Sequence, residues 1–112
     1  MQNIWILGGN VSMNEDLARL KDLDPATWER YQEDDWSDTS HVFASQIAWL
    51  QYCLQEAIAA RGWLLEQSTF AAKPSAKIWK PGDAIWMLYI RYAESHVAAL
   101  LAAYIAALEA QA

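Results

Sequence analysis

The chain has 112 residues, 54% of them hydrophobic and seven of them tryptophan, so it should form one folded domain spanning residues 1–112. Its formal net charge of −6 at pH 7 argues against a nucleic-acid backbone as the main partner. The single cysteine, Cys53, excludes an intrachain disulfide. No uncharged apolar run reaches the roughly 18 residues of a membrane span. We therefore expect a cytoplasmic protein that contacts no membrane.

Residues 1–11 are expected to form an extended arm, because a short apolar run ends at the turn signal Gly8-Gly9-Asn10. Two placements of this arm are open. It could pair with Lys77-Ile78-Trp79-Lys80, whose polar–apolar alternation suits a short extended segment. Alternatively it lays Ile4, Trp5 and Leu7 on a helical surface, which is the preferred interpretation.

Two short helices follow the arm. The spacing from Ser12 to Glu15 is that of a capping box and predicts a helix from about Met13 to Leu23. Asp24-Pro25 then predicts the start of a second helix, because aspartate is a good N-cap and proline is favoured at the first helical position. The second helix should run from Pro25 to about Asp35.

A long amphipathic helix is expected next, from about residue 40 to Gln67, with a broad apolar face. Gly62 could bend this helix or end it early. Residues 68–82 contain Pro74, Pro81 and Gly82 and are expected to form a long connection.

The last helix is expected to run from Ala84 to about Ala110, and it is apolar on most sides. Such a helix spans about 40 Å, whereas a compact domain of this length is only about 35 Å across. The sequence therefore predicts an all-α fold of two short and two long helices. The long pair would pack as an antiparallel hairpin, completed by oligomerisation into a helical bundle. The protein would then be a homo-oligomer, a dimer or a tetramer.

Alanines four residues apart on this helix make strips that another helix can approach closely. The residues expected at the interface are Leu88, Ala98, Ala99, Leu101, Ala102, Ala103 and Ala106.

Glu94 is the first candidate for chemistry, since the predicted wheel places it inside the apolar stripe with Arg91 three residues before it. A desolvated carboxylate suits acid–base work, with His96 as a neighbour. The favoured interpretation is structural: a Glu94–Arg91 pair, or a glutamate at the edge of an interface. Four aromatic residues are candidates for lining a ligand pocket: Trp86, Tyr89, Tyr92 and Tyr104.

Several carboxylates with His41 form the densest acidic segment, which comprises Glu29, Glu33, Asp34, Asp35 and Asp38. Acids near a helix start are favoured by the helix dipole, so we expect no metal site there and no cofactor. Overall the sequence favours a non-enzymatic module that binds a protein or a small apolar ligand. The alternative is a small all-α enzyme with an acid–base site around Glu94.

Overall fold

A computed structural model describes residues 11–33, 46–70, 73–83 and 88–110 of the chain. In chain order they form α1 (Val11–Leu23), α2 (Pro25–Glu33), α3 (Gln46–Ala60), β1 (Leu64–Phe70), β2 (Lys73–Trp79), β3 (Tyr89–Tyr92) and α4 (His96–Glu109). The strands form one antiparallel sheet in the order β1-β2-β3. Helix α4 lies across β2 and β3, and α1 and α3 pack against α4. The fold is therefore mixed, and the prediction of an all-α helical bundle is wrong.

The two short helices are confirmed. Met13, Leu17 and Leu20 recur at helical spacing along α1, and all three are buried in the core. Helix α2 begins at Pro25, and the Asp24 carboxylate accepts a hydrogen bond from the Thr27 backbone N–H at 3.2 Å. Asp24 is thus the N-cap that the sequence predicts. The expected arm falls in residues 1–10, outside the described residues, and Val11 already belongs to α1.

Helix α3 ends at Ala60, not at Gln67 as the apolar periodicity predicts. Gly62 has a φ of 77°, a left-handed conformation that glycine adopts without a side-chain clash. The Gly62 N–H donates to Ala59 O at 2.9 Å, and the Trp63 N–H donates to Ile58 O at 3.2 Å. These are the two hydrogen bonds of a Schellman motif, so the chain leaves the helix at Gly62 and enters β1 two residues later.

The predicted connection 68–82 is also wrong, because it contains the end of β1 and the whole of β2. Seven consecutive residues of β1 pair with β2, from Leu64 opposite Trp79 to Phe70 opposite Lys73. After β2 the chain turns at Pro81-Gly82, where Gly82 has a φ of 97° and the Asp83 N–H donates to Lys80 O. Proline followed by a glycine of positive φ is the pattern of a type II turn.

The last helix is about half as long as predicted, because it begins at His96 with Ser95 as its N-cap. Ser95 is extended, with φ −143° and ψ 162°, and its hydroxyl accepts from the Ala98 N–H at 3.2 Å. Helix α4 therefore has 14 residues and spans about 21 Å, so one chain can cover it. Leu100, Leu101 and Tyr104 on this helix are fully buried within the single chain. The length of the last helix thus gives no reason for oligomerisation, and the predicted hairpin of two long helices is not formed.

Candidate functional site

The sheet has two faces with different surroundings. Side chains alternate along each strand, so Leu65, Ala76 and Ile78 point towards the helices, and we call this side the inner face. Ala76 and Ile78 are fully buried there. The opposite side, the outer face, carries ten described side chains from β1, β2, β3 and the residue before β3. They are Leu64, Glu66, Ser68, Lys73, Ser75, Lys77, Trp79, Leu88, Ile90 and Tyr92.

A polar cluster of Asp24, Thr27, Arg61 and Tyr104 lies among the helices on the inner side. The Tyr104 hydroxyl donates to Asp24 Oδ2, and the Thr27 hydroxyl donates to the same oxygen at 2.7 Å. The Arg61 Nε donates to the Tyr104 hydroxyl at 3.0 Å, and its Nη2 lies 3.7 Å from Asp24 Oδ2. Every member therefore has a partner, and Asp24 joins the start of α2 to the end of α3 and to α4.

These contacts set the protonation of the cluster. Burial alone would raise the pKa of Asp24, but the hydrogen bonds from Tyr104 and Thr27 and the charge of Arg61 outweigh it and lower that pKa. Burial and the hydrogen bond to Asp24 raise the pKa of Tyr104 to about 12. At neutral pH the cluster thus holds a carboxylate, a guanidinium and a neutral phenol.

Two cations, Arg61 and Lys80, and the Trp63 ring lie between the buried groups of this cluster and the surface. Arg61 lies over the Trp63 ring at 5.2 Å from its centroid, and Lys80 lies over the same ring at 4.6 Å. The Lys80 ammonium also donates to Ala107 O near the end of α4 at 2.9 Å, where the helix dipole favours a cation. The Trp63 and Tyr104 rings meet edge to face. With its carboxylate and phenol buried and paired, the cluster acts as a structural brace between elements.

The outer face holds a cleft with a volume of about 410 Å³. Trp79, Pro81 and Leu88 form its apolar wall, and Glu66 and Lys77 form its polar side. Glu66 and Lys77 are opposite each other in the β1–β2 register and make an ion pair at 3.5 Å. Lys80 and Asp83 complete the lining, so two cations and two anions surround the cleft.

A second cleft of about 210 Å³ continues along the same face and shares Lys77 with the first. Its lining comes from Ser68, Ser75, Ile90 and Tyr92, which are cross-strand neighbours on β1, β2 and β3. Tyr92 is 53% exposed, and the Ser68 and Ser75 hydroxyls are 3.1 Å apart. The outer face is thus an aromatic and apolar shelf with a few hydrogen-bonding groups, which is the usual make-up of a ligand site.

The residues expected to carry acid–base chemistry are exposed and line neither of the two clefts of the outer face. Glu94 precedes α4 and lines a groove of about 350 Å³ with Asp16, Lys73 and Tyr92. Arg91 lines a neighbouring groove with Asp16 and Glu109. Burial raises the pKa of Asp16, and Arg19 partly offsets this effect. Among the described residues no ion pair joins Glu94 to Arg91, and His96 makes only an exposed contact of 3.4 Å with Thr69.

The aromatic and alanine candidates are scattered. Tyr92 belongs to the outer face, Tyr89 points to the inner side beneath Lys80, Tyr104 is buried in the polar cluster, and Trp86 lies outside the described residues. Most residues expected at an oligomer interface instead lie in the core of the single chain, namely Ala98, Ala99, Leu101 and Ala103. Ala102 and Ala106 line the grooves beside α1, and Leu88 lines the outer cleft.

The acidic segment cannot be compared with the structure in full, because Asp34, Asp35, Asp38 and His41 lie outside the described residues. Within residues 11–33, 46–70, 73–83 and 88–110, no three acidic, histidine or cysteine side chains are close enough to hold a metal ion. None of the helices in that part of the chain is long and apolar enough to cross a membrane.

No protein-family model, curated protein or solved structure matches this chain. Sequence reasoning missed Glu66, Lys77 and Trp79 as site residues. The available signal was the alternation of Lys77-Ile78-Trp79-Lys80, which indicates a strand with Lys77 and Trp79 on one side.

Proposed function

We propose that this protein is a non-enzymatic binding module whose outer face holds a small, flat and largely apolar ligand. The observation that carries the proposal is the cleft of about 410 Å³ in which the Trp79 ring, Pro81 and Leu88 adjoin the Glu66–Lys77 ion pair. A tryptophan in such a wall offers a large stacking surface at little entropic cost. The ion pair supplies one acceptor and one donor that can orient the ligand.

The charges around the cleft favour a ligand with little net charge. Glu66 and Asp83 balance Lys77 and Lys80. The Lys80 ammonium is bound to Ala107 O and faces two aromatic rings, which leaves it poorly placed to hold a phosphate. Together with the net charge of −6, this supports a neutral planar molecule over a nucleic acid. A cytoplasmic location remains part of the proposal, supported by a single cysteine, Cys53, that is buried in the core.

The test uses the full chain and a neutral planar probe, indole, with naphthalene-2-carboxylate as an anionic comparison. Titration of ¹⁵N-labelled protein should move the amide signals of Glu66, Lys77 and Trp79 first. We expect Trp79→Ala to weaken indole binding by about fivefold or more, because a stacked aromatic pair contributes about 1 kcal/mol.

The matched control is Ile47→Ala, which removes another half-exposed apolar side chain but on α3, away from the outer face. It should bind indole as the wild type does. If indole shifts no outer-face amide at millimolar concentration, or if both variants lose binding equally, the proposal is wrong.

A further inference from the structure

The two edges of the sheet are protected to very different degrees. The Ala93 N–H donates to Pro74 O, which identifies 74 and 93 as a hydrogen-bonded pair. Because such pairs alternate along an antiparallel ladder, the backbone groups of Ile90 point away from β2. At this β3 edge the Arg91 guanidinium donates to Ile90 O at 2.8 Å, and the strand has only four residues. Short length and a covering cation are devices that block further strand pairing.

The β1 edge is neither short nor covered by a cation of the described residues. The same alternation turns the N–H and C=O groups of Leu65, Gln67 and Thr69 outward. No backbone group of the described residues bonds to them from outside the sheet. Strand β1 has seven residues, contains no proline, lysine or arginine, and pairs with β2 without a bulge. Among the described residues nothing blocks this long edge, and such an edge is a template for another strand.

We propose that β1 pairs antiparallel with β1 of a second copy of this chain, about a two-fold axis at Gln67, so that the two sheets join into one. This inference does not depend on the proposed ligand. The axis places Gln67 opposite Gln67 and Leu65 opposite Thr69, so each outward N–H meets an outward C=O. It also keeps the helices of both copies on the same side of the joined sheet.

Charge disfavours one competing register, and the only charged residue of β1, Glu66, does not oppose pairing with a second copy at the Gln67 axis. With the axis at Gln67, Glu66 of each copy lies opposite Ser68 of the other. A shift that moves the axis to Glu66 would place two carboxylates directly opposite each other, which is unfavourable. The same edge therefore complements itself on both faces: inner-face residues meet inner-face residues, and no like charges are opposed.

The experiment measures the association of the full chain by sedimentation equilibrium, with two substitutions at one site. Ser68→Glu opposes a new carboxylate to Glu66 of the second copy, twice in each dimer. Ser68→Lys opposes an ammonium to it. Both variants lose the same Ser68–Ser75 contact and place a long charged side chain at the same position, so they differ mainly in the sign of the added charge.

We expect the wild type to dimerise in the micromolar range. Ser68→Glu should weaken the dimer by on the order of tenfold, because opposed like charges are unfavourable at two symmetric places. Ser68→Lys should keep or strengthen it, although a lysine normally protects an edge strand. Thermal unfolding of both variants checks that the monomer remains folded.

Three outcomes would overturn the proposal: a wild type that stays monomeric at the highest concentration, equal effects of the two variants, or a Ser68→Glu dimer as stable as the wild type. A monomer that binds extended peptides at β1 would assign the edge to another chain instead. Thr69→Pro gives a second check, because it removes one outward N–H and should weaken the dimer, whereas Thr69→Val should not.

Discussion

The two sides of the sheet both carry paired charges, but only the inner side encloses them. Asp24 is buried and accepts hydrogen bonds from Tyr104 and Thr27, so its charge is held by fixed partners. Glu66 on the outer face meets Lys77 across two strands while both remain exposed to water. The same type of side chain therefore braces the fold on one side and is available to a ligand on the other. Enclosure, more than residue type, separates the two roles.

The largest effect should follow from removing the buried carboxylate. Asp24→Ala removes the N-cap of α2, leaves the Tyr104 hydroxyl without its acceptor and leaves Arg61 without its ion-pair partner. We expect a loss of about 2–4 kcal/mol in the free energy of unfolding, measured by urea denaturation. Glu66→Ala on the outer face is the matched control and should change it by less than about 1 kcal/mol. Equal losses for the two variants would mean that enclosure does not distinguish the two sides.

The pH dependence of stability should separate the charge of Asp24 from its role as a cap. Asparagine is also a good N-cap, so Asp24→Asn removes mainly the charge. The pKa of Asp24 is lowered from 3.8 by folding, so its stabilising effect is present above that pH and is lost as the pH falls through the folded value. The difference in unfolding free energy between wild type and Asp24→Asn should thus be constant near neutrality and shrink below about pH 4. Asp16 titrates in both proteins and cancels in this difference.

Tyr104 of the same polar cluster should make the stability of the protein depend on pH in the alkaline range. Folding raises the pKa of Tyr104 from 10.0 to about 12, so the neutral phenol stabilises the protein below pH 10. That contribution is lost as the pH rises towards 12. A Tyr104→Phe variant should therefore be less stable than the wild type at neutral pH and approach it at alkaline pH. A constant difference up to pH 12 would contradict this assignment.

The smallest effect should be the coupling between Glu66 and Lys77. A double-mutant cycle of Glu66→Gln and Lys77→Met, measured by urea denaturation, should give a coupling of about 0.5 kcal/mol or less. Added salt should reduce it further, because both groups are exposed. A coupling above about 1.5 kcal/mol would make this pair a structural brace and leave it less able to serve a ligand.

Parts of the fold could be predicted because their signals are local. The N-cap at Asp24 and the apolar spacing of Leu17 and Leu20 depend only on neighbouring residues. By contrast, residues 64–67 include leucine, glutamate and glutamine, which are good helix formers, and they are strand only because β2 pairs with them. The apolar periodicity therefore predicts, wrongly, that α3 continues through Gly62. The same error joined β3 to α4, because the Ser95 cap was read as part of a continuous apolar helix.

The candidate site depended on these misassigned segments. Trp79 and Leu88 meet only after β2 and β3 have paired and Pro81-Gly82 has turned the chain. Their proximity depends on the register of the paired strands, and this register cannot be deduced from the spacing of residues along the sequence. Glu94 shows the opposite error. A continuous helix would bury it in the apolar stripe, but the helix begins at His96, and Glu94 before it is exposed.

The Schellman motif at Gly62 has a consequence for the order of folding. Upstream of it α3 can form from its own local hydrogen bonds, whereas β1 has residues that would continue the helix if they were left alone. We therefore expect β1 to gain its structure only with the β1–β2 hairpin, and Gly62 to disfavour propagation of the helix into β1 before that hairpin closes. On this view α3 forms from local contacts, whereas β1 forms together with β2.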